Sequence, residues 1–192
     1  MRRKRGIACQ VPVAVGAALL VALAGCGGSG RGHASDPFAW LKPASPPTGW
    51  NVARSHGGAL AYPPGWTPLK TDPGTASVAL LGDGGRIEAY LNATPRQGTE
   101  TLANWKRFRL RHNESEGDRD ERLVAATSDA SFPSGRGSCV IDTYTTSKAT
   151  YREIACLVSG PRSSAVVVGA APIALWDQQA PTLERAVSSF VP

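Results

Sequence analysis

An α+β domain built on a mostly antiparallel central sheet, with helices on both faces, is what this sequence predicts, and three stretches carry the prediction. Gly137 to Thr146 and Thr150 to Ser159 are rich in β-branched and aromatic residues around Ser147-Lys148-Ala149, which is hairpin patterning. Ala165-Val166-Val167-Val168-Gly169 is apolar without alternation, so it suits a central strand covered on both sides. Two amphipathic stretches, one holding Trp105 and one ending at Phe190, can supply the cover.

The chain opens with a basic cluster, Met1 to Arg5, followed by the almost wholly apolar Val11 to Ala24 and then Gly25-Cys26-Gly27-Gly28. This reads as an export signal. The run is shorter than the about 20 residues a spanning helix needs, and Pro12 counts further against a permanent span. An ordinary secretory peptide would also end in small residues. Leu23-Ala24-Gly25-Cys26, however, resembles the lipobox of bacterial lipoproteins. The resemblance implies diacylglycerol on the Cys26 thiol and cleavage between Gly25 and Cys26, so that residues 1–25 are a signal peptide. Two acyl chains anchor stably where one is marginal, so the implied location is the extracytoplasmic face of the bacterial cell membrane.

Removing Arg2, Arg3, Lys4 and Arg5 from 21 basic residues leaves 17 against 15 acidic, so the apparent net charge of +6 falls to +2. So balanced a surface offers little attraction for phosphate backbones, and no nucleic-acid partner is expected. Of four cysteines, Cys9 leaves with the signal and Cys26 carries lipid, which leaves Cys139 and Cys156 in an exported domain. Export favours a disulfide over two free thiols, and a lone thiol pair without neighbouring histidines makes a poor metal site.

Residues 26–49 are Gly, Ser, Pro and Ala with scattered polar residues, and Lys42 to Pro47 favours extended polyproline geometry, so this stretch reads as a tether to a single domain over 50–192. Within it Phe38, Trp40 and Leu41 form an apolar island, expected to dock on the domain in preference to dipping into the lipid interface. Strands are expected at Trp50 to Arg54 and Ala59 to Tyr62, before a turn at Pro63-Pro64-Gly65-Trp66. Ala76 to Leu81 and Arg86 to Asn92 flank Gly82-Asp83-Gly84-Gly85 and should pair antiparallel. A helix is expected from Thr99, as N-cap, to about Asn113, with Glu100 in its first turn and Leu102, Trp105, Phe108 and His112 on one face. Arg109 projects inside that apolar arc, whereas Arg107 and Arg111 face away; a guanidinium there must snorkel or find an acid. Glu114 to Arg122 reads as a solvated mixed-sign loop and Leu123 to Thr127 as a strand that Phe132-Pro133-Ser134-Gly135 ends.

A four-residue loop, Thr146 to Ala149, fixes a register for the strong hairpin: Thr145 opposite Thr150, Ile141 opposite Ile154 and Cys139 opposite Cys156. The same register sets Asp142 against Glu153, which is unfavourable unless Arg109 or Arg152 lies between them. Trp105, Arg109, Asp142 and Glu153 are therefore the candidate site, either a ligand groove or a buried ion pair. The last helix carries a stripe of Trp176, Ala180, Leu183, Val187 and Phe190 and should begin near Asp177 or later, so that Pro181 falls in its first turn.

Nucleophilic catalysis needs a base held beside a serine or cysteine. His33 lies in the tether and His56 in a glycine loop, while His112 reads as a packed core residue. No metal-protease, P-loop or dinucleotide motif is present, so no catalytic residue, cofactor or metal is assigned. The order of elements, the opening Tyr62-Pro63-Pro64-Gly65-Trp66 and the closing helix ending Ser188-Ser189-Phe190 resemble the PsbP-like α/β/α sandwich over about Gly57 to Val191, including bacterial lipoprotein groups typified by LpqN and DcrB. That resemblance implies a non-catalytic module that binds an envelope protein partner. A binding protein for a small anionic or lipid-like envelope ligand, with Arg109 and Trp105 lining its groove, is the alternative. A cryptic hydrolase is a third reading and needs His56 or His112 beside a serine or carboxylate.

Overall fold

A computed structural model describes residues 36–192, so the signal, the Gly25/Cys26 cleavage point and the first part of the tether lie outside the described residues. Strands β1 (Asn51–Ser55) and β2 (Gly58–Tyr62) pair as a separate antiparallel hairpin. Seven more form the main sheet: β3 (Thr67–Pro68), β4 (Ala76–Leu81), β5 (Ile87–Pro95), β6 (Arg119–Phe132), β7 (Gly135–Thr145), β8 (Thr150–Ser159) and β9 (Ser164–Pro172). Their order is β3-β4-β5-β9-β8-β7-β6, with every pairing antiparallel. Two helices, α1 (Trp105–Ser115) and α2 (Trp176–Ser188), pack on this framework. The domain is sheet-rich, 46% strand against 19% helix, which makes it a large antiparallel sheet carrying two helices.

The unbroken apolar run becomes β9, the middle strand, in which Ala165 through Ala171 are all buried. Val166 and Val168 pack with Val140, Ala155, Leu157 and the Trp105 of α1. Val167 and Ala165 join Cys139, Ile141, Ile154 and Cys156, together with Leu183, Val187 and Phe190 from the α2 end of the chain. The two sets alternate along each strand, as the period of two in a pleated strand requires. Gly169 lets α2 come close, since a Cβ there would stand 3.2 Å from Leu91 and 3.3 Å from Leu183. At Gly58 a Cβ would meet the Val191 carbonyl oxygen at 2.5 Å, so only glycine lets the chain end cross β2.

The loop Thr146 to Ala149 sets the expected register, with Cys139↔Cys156, Ile141↔Ile154, Asp142↔Glu153 and Thr145↔Thr150. It is held by a Thr146 N–H donating to the Ala149 carbonyl and by the Thr146 hydroxyl accepting from the N–H groups of Lys148 and Ala149. Cys139 and Cys156 are disulfide-bonded and fully buried, with their Cα atoms 4.1 Å apart.

Five expectations are corrected. The apolar island of the tether does dock, with Phe38 and Leu41 buried in the main core and the Ala44 N–H donating to the Ser188 carbonyl, so the compact unit begins near residue 35 rather than 50. Helix α1 starts at Trp105 instead of Thr99: the preceding residues form a turn in which the Thr101 N–H donates to Asn104 Oδ1 and the Asn104 N–H to the Thr101 hydroxyl oxygen. Glu100 does not sit in the first helical turn: it turns back, is buried, and accepts the Gln97 N–H. The charged stretch Glu114 to Arg122 is only partly a turn, since β6 begins at Arg119 through a bulge where Asp120 takes φ 56°. Helix α2 begins at Trp176, a residue before Asp177, so Pro181 lies in its second turn rather than its first, and the Asp177 carbonyl loses its helical donor.

Candidate functional site

Strands β7 and β8 present Asp142, Glu153, Tyr144 and Tyr151 on the side where α1 lies, because these alternate with the disulfide and the isoleucines. Helix α1 turns Trp105, Arg109 and Asn113 toward them at steps of four. Trp105 is 1% exposed, and its indole N–H donates to the Ala155 carbonyl at 3.0 Å, which pins the helix start to the middle of β8. One turn later Arg109 donates from Nε to Glu153 Oε1 at 2.6 Å and from Nη2 to Oε2 at 2.8 Å. This two-pronged pair is nearly dry: the Glu153 side chain is 0% exposed and that of Arg109 12%.

Asp142, directly across from Glu153, is also fully buried, and neither of its oxygens has a hydrogen-bond partner among the described residues. Burial, with Glu153 and Glu121 adding repulsion against the attraction of Arg109, pushes its carboxyl up to about 9. It is therefore protonated at neutral pH, which is how one arginine serves two facing acids. Arg152, the other cation considered for this role, sits 5.0 Å over the Trp176 ring instead.

Several members of the assembly were not singled out from the sequence. Asn113, 3% exposed, donates from Nδ2 to Glu121 Oε2 at 3.1 Å, and burial pushes Glu121 up to about 7. Its signal was available, since Asn113 lies four residues beyond Arg109. Glu121 was hidden by the reading of its segment as a solvated loop. The Tyr90 and Tyr144 hydroxyls are 2.9 Å apart, the Tyr144 and Tyr151 rings stack at 5.8 Å, and burial raises the first two above the usual phenol range. The register that paired Asp142 with Glu153 also paired Tyr144 with Tyr151.

Chemically the assembly is an anchor for α1. With both Glu153 oxygens on the guanidinium, Arg109 is not available as the primary contact for an anionic ligand. A groove of about 300 Å³ does run between α1 and the sheet, lined by Trp105, Phe108, Arg109, Val166 and Val168. His112, expected in the core, is exposed and stacks on Phe108 at 6.2 Å, because the inward stripe of α1 runs through Trp105, Arg109 and Asn113. His56 is exposed as well, and neither imidazole is hydrogen-bonded to a serine or carboxylate among the described residues. Among those residues no three His, Cys, Asp or Glu side chains converge to hold a metal ion, and no helix is long and apolar enough to cross a membrane.

No family model and no curated protein matches this sequence. Solved structures do match. PsbP (CyanoP) from Synechocystis sp. PCC 6803 aligns with a TM-score of 0.54 at 17% identity, over 74% of this chain and 92% of its own. A Pseudomonas aeruginosa protein of unknown function, PA94, aligns with a TM-score of 0.50 at 15% identity, over 74% of this chain and 96% of its own. At such identities the likeness speaks for architecture alone, and the architecture of this domain is PsbP-like.

Proposed function

We propose that this protein is a lipoprotein of the bacterial envelope, held on the extracytoplasmic face of the cell membrane by diacylglycerol on Cys26, and that its PsbP-like α/β/α sandwich is a non-catalytic module that binds a protein partner. The observation that carries the reading is Leu23-Ala24-Gly25-Cys26 at the end of a basic-then-apolar leader. In the sandwich α1 covers the Val140, Ala155 and Val168 side of the sheet and α2 the Cys139, Ile154 and Val167 side. The described chain enters beside the β6–β7 turn, where Asp36 and Phe38 share a hollow with Asp129 and Ser131. The β7–β8 loop lies at the other end of the same strands. There Ile87, Tyr151, Pro172 and Leu175 line an apolar concavity of about 370 Å³, with Ile173 exposed beside it. Such an exposed apolar surface is what a protein partner could cover.

Replacing Cys26 by serine should release the protein from membranes and leave the leader uncleaved; unchanged processing and fractionation would end the anchoring half of the proposal. A photo-crosslinking amino acid at Ile173 in intact cells should capture a discrete protein, and capture should be lost with Ile87→Asp. Equal capture from a probe at exposed Arg162 would argue against a specific face.

A further inference from the structure

Arg109 is spent on Glu153, but two other arginines of the same helix are not. Arg107 and Arg111 are exposed, stand one turn apart on α1, and take part in no ion pair among the described residues. Like charges at this spacing repel by a few tenths of a kcal/mol, and the nearby Lys106 adds to the repulsion. The helix keeps this unneutralised charge beside a hollow of about 400 Å³ whose lining includes Thr99, Arg107, Phe108, Arg111, His112 and Ser115. The rings of Trp105, Phe108 and His112 follow one another as a stack, at 6.0 Å and then 6.2 Å between centroids. Phe108 and His112 of that stack line the hollow, as do Arg107 and Arg111.

We propose that this face of α1 is a binding site for a phosphate group, borne by a phosphoester small enough to enter the hollow. Arginine is suited to the task because its planar fork matches the geometry of phosphate oxygens and it is always charged. Arg107 and Arg111 take the phosphate oxygens, the Thr99 hydroxyl adds a donor, and the Phe108–His112 stack receives the rest of the molecule. Occupancy neutralises the repulsion between the two arginines, so binding also stabilises the helix. The site is independent of the Arg109–Glu153 pair and of lipid on Cys26, and can be tested without either.

The test titrates inorganic phosphate and sn-glycerol 3-phosphate into the full-length protein in uncharged detergent, reading tryptophan fluorescence and heat. Micelles doped with phosphatidylglycerol form a third arm. Saturable binding of either soluble phosphate, weakened about tenfold by Arg107→Gln or Arg111→Gln and about a hundredfold by both, is the expected result, each charged contact being worth about 1.4 kcal/mol or more. Binding confined to the doped micelles, with the same loss in the variants, identifies a lipid headgroup as the source of the phosphate. Both responses should weaken as salt rises, while Arg162→Gln should leave them unchanged. No saturation by any of the three probes, or a double variant that binds as well as the parent, overturns the proposal. The substituted positions are exposed, and an unchanged urea midpoint would show that the variants remain folded.

Discussion

Truncating Arg109 to methionine tests whether one guanidinium holds α1 to the sheet. The substitution keeps most of the side-chain volume but leaves Glu153, 0% exposed, without either of its 2.6 and 2.8 Å bonds, directly opposite the equally buried Asp142. Breaking a buried pair by removing one partner costs about 3–5 kcal/mol, chiefly the penalty of stranding the other charge. For a domain of this size that corresponds to a fall of about 10 °C in Tm. Replacing both partners, as in R109M/E153L, removes the stranded charge, and the double variant should recover to within about 1 kcal/mol of the parent. Urea unfolding followed by tryptophan fluorescence gives all four corners of the cycle, because Trp105 sits one turn from the pair. A single variant within about 1 kcal/mol of the parent would refute the reasoning, as would a double variant no more stable than R109M.

The buried acids predict a pH dependence of definite sign. Asp142 keeps its proton in the folded state up to about 9, whereas the unfolded chain releases it near the ordinary carboxyl value, so folding binds a proton in between and stability falls as pH rises through that window. Glu121, raised to about 7, adds a slope of the same sign over the lower part of it. Asp142→Asn should flatten the fall and exceed the parent in urea midpoint at pH 8 but not at pH 4; a difference independent of pH would contradict this. C139A/C156A should lower stability by about 3 kcal/mol in the chain-entropy view, for a separation of 17 residues, and reductant should destabilise only the parent. Leu183→Ala opens a hole against Gly169 and Leu91 and should cost about 3 kcal/mol, measured by the same denaturation; a cost under about 1 kcal/mol would mean that α2 settles into the space.

Much of the architecture is written locally. The hairpin register followed from a four-residue loop because pairing along a strand is rigid once the turn is set, so one choice placed the cysteines, isoleucines, acids and tyrosines together. The middle position of β9 followed from its lack of alternation, since only a strand covered on both sides can be apolar at every residue. Where chain and structure part, the cause is a contact from far along the sequence. The sequence places the domain boundary too late because proline-rich composition around Phe38 and Leu41 says nothing about how much of the stretch the core will hold. Glu114 to Arg122 reads as a loop because its charges are local, while what raises the Glu121 carboxyl is burial and the nearby Glu153, against the hydrogen bond from Asn113.

The sequence by itself determined the disulfide pair and the antiparallel hairpin with its two facing acids, which depend on spacing over a few residues. Only the tertiary structure decided which of the two candidate cations, Arg109 or Arg152, answers those acids. The helical period already set Arg109 apart from Arg107 and Arg111, but it is the way α1 sits on β8, fixed by Trp105 against Ala155, that brings Arg109 onto Glu153, while Arg152 lies over the Trp176 ring.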